Sequence, residues 1–144
     1  MDATVTWKHG LTFTGIASST NYAIPLGSHG AEDAPAEGAS PMELILIGTA
    51  GCTAMDVISI LEKKRQNVTA FEIRMHADRS ESHPKVFTRI TMEYVVTGRQ
   101  IDREAVQRAI NLSLERYCSA HAMLSKAVPI EHTATVIEAV PAGA

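Results

Sequence analysis

Between Leu44 and Met55 the chain runs LILIGTAGCTAM without a single charged residue. The residues before it announce a helix. Ser40 suits the N-cap, Pro41 the first helical position, and Glu43 completes an S-x-x-E capping box. The basic run Lys63-Lys64-Arg65 suits the negative end of the helix dipole. The helix is therefore predicted from about Pro41 to Lys64. A helix apolar on every face must be enclosed by protein or lipid. A membrane span needs roughly 20 predominantly apolar residues and tolerates a central charge poorly. This segment carries Asp56, Gly48, Gly51, Thr49, Thr53 and Ser59, and then Glu62-Lys63-Lys64-Arg65. It reads as a protein-enclosed helix and not as a membrane span. A chain of 144 residues has little else with which to cover it. The simplest solution is a homodimer in which each copy covers the other's helix.

The flanking sequence alternates with period 2, the signature of half-buried strands. Ala3, Val5 and Trp7 alternate with Thr4, Thr6 and Lys8. Gly10 interrupts, and Leu11, Phe13 and Gly15 alternate with Thr12 and Thr14, as in a hairpin. A short strand over Tyr22–Leu26 carries Pro25, which favours an edge. Gly27–Ala39 has loop composition. After the helix, Phe71, Ile73, Met75 and Ala77 define one face of a strand over Val68–Arg79. Val86, Ile90, Met92, Tyr94 and Val96 define the core face of its antiparallel partner, Lys85–Thr97. Asp102 caps an amphipathic helix with Val106, Ile110, Leu114 and Tyr117 on one side and a Glu104–Arg108 pair on the other. A short helix capped by Ser119 ends before Pro129. A last strand covers Ile130–Ala139, and Val140–Ala144 reads as a frayed tail. Strand clusters separated by helices give an α+β fold of antiparallel sheets on a long central helix, one domain over residues 1–144.

Composition narrows the function. The net charge is -3 and the sequence pI about 6.0, which argues against nucleic acid and polybasic membrane contacts as partners. The opening Met1-Asp2-Ala3-Thr4 lacks the basic and apolar regions of a secretion signal, so a cytoplasmic location is expected. Thiols are normally reduced there, so the two cysteines matter as chemistry. Cys52 lies inside the uncharged helix, where Gly48 and Gly51 would let a substrate or a second backbone come close. The same residue is equally readable as a small core side chain. Cys118 sits at a helix start, where backbone N–H groups favour a thiolate, with His121 able to add positive charge. It too has a plain reading, as a buried turn residue. Cys118-x-x-His121 has no second ligand pair at metal spacing, so no metal or other cofactor is expected.

Several stretches, read together and in order, resemble the OsmC/Ohr family of osmotically inducible and organic hydroperoxide resistance proteins. They are Leu11-Thr12-Phe13, Ser40-Pro41-Met42-Glu43, Ala50-Gly51-Cys52 and Tyr117-Cys118-Ser119. The likeness is nearest to a YhfA-like branch. The resemblance implies an intertwined homodimer that reduces organic hydroperoxides without a cofactor. By position, Cys52 is then the peroxidatic thiol and Cys118 the resolving thiol, with an external dithiol as reductant. Active members of the family place an acidic residue directly after the proline, where it holds an arginine beside the thiol. Here Met42 stands at that position, and no arginine precedes Arg65. Glu43, His121, Lys8 and His9 are the remaining accessory candidates, and the implied turnover is slow. Two other readings stay open: a dimer that binds an apolar or acyl ligand, and a redox or stress-associated protein without turnover.

Overall fold

The structure, a computed structural model, describes residues 1–28 and 37–140. The chain divides into two compact units, Met1–Ile47 and Gly48–Ala144. The middle of the Gly27–Ala39 loop and the end of the C-terminal tail lie outside the described residues.

The first unit contains a three-stranded antiparallel sheet in the order β1-β2-β3. Its strands are β1 (Ala3–His9), β2 (Thr12–Ala17) and β3 (Ala23–Gly27). The β1–β2 turn needs a positive φ, and Gly10 supplies it at +48°. Pro25 lies on β3, an edge of this sheet as expected.

The uncharged segment enters α1 (Pro41–Lys63). Its capping box is formed: the Ser40 N–H donates to Glu43 Oε2 (2.8 Å) and the Glu43 N–H to Ser40 Oγ (3.2 Å). At the other end Arg65 takes a positive φ of 55°. The N–H of Gln66 bonds back to the Leu61 carbonyl and that of Arg65 to the Glu62 carbonyl. This is a Schellman closure built on an arginine in place of the usual glycine.

In the second unit β4 (Asn67–Arg79), β5 (Phe87–Arg99) and β6 (Ile130–Glu138) form a sheet with β5 in the middle. The pair β4–β5 is antiparallel, as predicted. The pair β5–β6 is parallel, from Ile90↔Ile130 to Gly98↔Glu138, so the expectation of wholly antiparallel sheets is corrected. A parallel pair requires a crossover. It is supplied by α2 (Arg103–Leu112), a π-helical turn (Ser113–Tyr117) and α3 (Ser119–Leu124).

Most of the core lies in this unit. Ile90, Met92, Tyr94 and Val96 of β5 are buried with Val57 and Leu61 of α1 and Val106 and Ile110 of α2. Val86 was expected among them but is exposed. It precedes the strand, in a turn held by Ser80 N–H to Val86 O, and Phe87 is buried in its place. Gly98 permits a close approach, since a Cβ there would fall 2.2 Å from the Asn67 carbonyl oxygen.

Two helix expectations also change. Leu114 and Tyr117 do not continue the buried stripe of Val106 and Ile110, and Tyr117 is exposed. The π turn adds a residue to the helix, so Ser113 turns inward and donates to Asp56 Oδ2 (2.9 Å). The predicted enclosure of α1 is incomplete within one chain. Thr49, Thr53, Val57 and Leu61 form its buried stripe, while Ile45, Ile47 and Met55 are exposed. By length and composition α1 could cross a membrane, and 22% of its apolar window is buried.

Candidate functional site

Both cysteines belong to the second unit and both are free thiols. Cys52 is half-buried on α1, one residue before the fully buried Thr53. Beside it, Gly48 and Gly51 face open space: a Cβ on either would meet nothing within 4 Å. Cys118 is buried at the end of the π turn, its N–H bonded to the Ser113 carbonyl at 2.8 Å. The Asp56–Ser113 hydrogen bond therefore fixes the turn that carries Cys118.

Cys118, and not Ser119, caps α3. Its Sγ accepts from the His121 backbone N–H at 3.3 Å. It also lies 3.1 Å from Thr53 Oγ1. The Cys52 side chain lies near enough to act on the Cys118 thiol. Burial pushes the Cys118 thiol above its ordinary range. The Thr53 hydroxyl and the His121 N–H oppose that shift, and the neighbouring Cys52 adds to it. Cys118 is accordingly a protonated thiol at neutral pH.

The expected positive charge from His121 is absent. Burial lowers the pKa of its imidazole, against a smaller opposing effect of the Leu114 carbonyl. His121 Nε2 instead lies 3.3 Å from His132 Nε2, and His132 Nδ1 lies 3.2 Å from the Tyr94 hydroxyl. His132 is pushed down to about 4 by burial, with His121 adding to the shift, so both rings are neutral near pH 7. Tyr94 is fully buried, with Thr53 and Cys118 near its hydroxyl. Burial, and then the nearby Cys118, raise its pKa.

Sequence reasoning missed Thr53, Tyr94 and His132. Tyr94 is assigned to the core for its period alone, and nothing in its spacing marks a hydroxyl paired with His132. The remaining accessory candidates belong to the first unit. Glu43 closes the capping box, His9 Nε2 pairs with Glu37 at 3.3 Å, and Lys8 is exposed on β1. Among the described residues no group of three or more His, Cys, Asp or Glu is placed to hold a metal.

Residues 32–133 match the family described as OsmC-like protein. Protein YhfA of Escherichia coli K12 is 44% identical over 139 residues, which is 96% of this chain and 100% of that protein. The structure of an OsmC-like protein from Mycoplasma pneumoniae superposes with a TM-score of 0.80 at 18% identity, over 94% of this chain and 96% of the other. That of the organic hydroperoxide resistance protein OhrB of Bacillus subtilis gives 0.64 at 19%, over 94% and 98%. At such identities these two likenesses concern the fold.

Proposed function

The chain belongs to the OsmC-like protein family, and from that premise we propose that it reduces organic hydroperoxides with its two thiols. Cys52 is the attacking group and Cys118 the resolving one. The observation that carries this reading is the nearness of the two free thiols, one on α1 and one at the cap of α3. The name of the Bacillus subtilis relative in fold supports the substrate class.

The chemistry balances in three steps. The Cys52 thiolate attacks the O–O bond, an alcohol leaves with a proton, and the sulfur becomes a sulfenic acid. Cys118 displaces the hydroxyl from that sulfur, water leaves, and a disulfide forms. An external dithiol restores both thiols by exchange. Cys118 suits the second role because burial keeps it protonated, and so unreactive, until a sulfenic acid stands beside it. Met42 in place of the family's acidic residue, and the lack of any arginine before Arg65, favour slow turnover. The apolar side chains of α1 favour organic hydroperoxides over hydrogen peroxide.

We propose further that the whole chain is one OsmC-like domain working as a homodimer in the cytoplasm. A second copy would cover Ile45, Ile47 and Met55, which are exposed within a single chain. It would also fill the open space beside Gly48 and Gly51. A second reading, binding of an apolar ligand, draws on a cavity of about 350 Å³ in the first unit, lined by Val5, Leu11, Phe13, Leu26 and Pro41.

Peptide mapping after one equivalent of cumene hydroperoxide tests the main reading. The expected result is one intramolecular Cys52–Cys118 disulfide per chain and no peroxide loss with Cys52→Ser. Equal inertness of wild type and Cys52→Ser would replace this reading with ligand binding.

A further inference from the structure

Where α1 ends and the chain turns into β4, the turn borders a cavity of about 510 Å³. Arg65 and Gln66 line it from the turn and Asn67 from the start of β4. Arg99 lines it at the end of β5, Gln100 just after, and Glu138 at the end of β6. Strand register brings these ends together, with Asn67 opposite Arg99 and Gly98 opposite Glu138. All of them belong to the second unit. At 1.5 Å per helical residue the end of α1 stands about 17 Å from Cys52, so the cavity is separate from the thiols.

Two arginines therefore border one space, and neither is neutralised. Among the described residues the ion pairs of arginine engage Arg74, Arg89 and Arg108, and Arg65 and Arg99 take part in none. The carboxylate in the same cavity is otherwise engaged. Glu138 accepts the Gln100 backbone N–H at 3.2 Å on each oxygen, which fastens the end of β6 to the turn after β5. The helix end does not repel an anion with bare carbonyls either. The N–H groups of Lys64, Arg65 and Gln66 bond to the carbonyls of Ile60, Glu62 and Leu61 respectively.

The backbone points the same way. Arg65 and Gln100 take positive φ values of 55° and 52°, where glycine is the unstrained residue. Both positions nevertheless carry long polar side chains, on the rim of one cavity. Strain of this kind gathers at binding sites. Gln66 holds the rim in place, since its Oε1 accepts the Asp102 N–H at 2.8 Å.

We propose that this cavity binds a small organic phosphate, with the phosphoryl group held between Arg65 and Arg99. Guanidinium forks match phosphate oxygens and form short, charge-assisted hydrogen bonds to them. A doubly charged group balances two cations, where a single carboxylate balances one. The side-chain amides of Asn67 and Gln100 are donors for the remaining oxygens. Glu138 is an acceptor for a hydroxyl on the organic part. The volume is that of a small-molecule site. Binding here is independent of the thiol chemistry.

Glycerol phosphate is the probe, titrated into the isotope-labelled full chain at fixed ionic strength while backbone amide shifts are followed by NMR. The expected result is saturable shifts centred on Gln66, Gln100 and Ala139. Arg65→Gly and Arg99→Gln should each weaken binding at least about tenfold, the loss of one charge-assisted contact. Arg65→Gly should also unfold at or above the wild-type temperature, because glycine suits the backbone at that position. Lost binding in a variant at least as stable as the wild type is not a folding defect. Inorganic phosphate, without the organic part, should bind more weakly. No saturable shift, or shifts that both variants leave unchanged, would overturn the site. Succinate binding as tightly as glycerol phosphate would overturn the assignment to phosphate.

Discussion

Strand β1 and strand β5 are both written in alternating apolar and polar residues, yet every residue of β1 is exposed while seven of the thirteen in β5 are buried. The first sheet shows water Val5, Trp7 and Ile24. The second encloses Ile90, Met92, Tyr94 and Val96 with residues of α1 and α2. Alternation thus reports that one face is meant to be covered, and does not report by what. Within one chain the second sheet has its cover. Strand β1 and the Ile45, Ile47 and Met55 side chains of α1 are exposed, which is the physical basis for the proposed second copy.

The contrast can be broken most severely at α1. Ile47→Lys or Met55→Lys puts a charge on an apolar surface that a partner would bury. The expected outcome is loss of folded protein, or loss of the dimer seen by light scattering. A native monomer of 15.5 kDa in the wild type would end the argument. A pair of truncations sharpens the same contrast. Ile90→Ala, at a fully buried site, should cost about 2–5 kcal/mol in urea unfolding. Val5→Ala, at a site 62% exposed in the chain, should cost under about 0.5 kcal/mol if the first sheet remains uncovered. A cost near that of Ile90→Ala would mean that Val5 is buried in the assembly.

A further effect concerns acid. His132, on β6 of the second sheet, has its pKa depressed from 6.5 to about 4. The unfolded chain therefore binds more protons than the folded one between these values. Stability is fully present above about pH 6.5 and is lost as pH falls toward 4. Allowing for partial exposure, the loss is about 1–2 kcal/mol. Urea midpoints at pH 7 and pH 4.5 measure it, and His132→Gln should flatten the difference.

The fold was legible wherever local chemistry acts alone. Ser40 and Glu43 announced the capping box, Asp102 the cap of α2, and Gly10 the first turn. The misses arose where tertiary contacts overrule period. Tyr117 was placed by helical spacing, but the Asp56–Ser113 bond draws a different residue inward. The parallel β5–β6 pairing depends on where the crossover returns, which alternation does not encode. Of the candidate site, the cysteines were visible because they are the chain's two thiols. Thr53, Tyr94 and His132 were not, because their meaning lies in contacts across 38 to 65 positions of sequence.

The π turn before Cys118 can also be viewed as a change of phase. An α-helix advances about 100° per residue, so one added residue rotates everything after it by that angle. Val106 and Ile110 are in phase with the core on one side of the insertion, and Cys118 is in phase with Thr53 on the other. A regular helix could satisfy one alignment at the expense of the other. Deleting a single residue from Ser113–Tyr117 would therefore leave both cysteines in the sequence and the core residues in place, while turning one sulfur away from its partner.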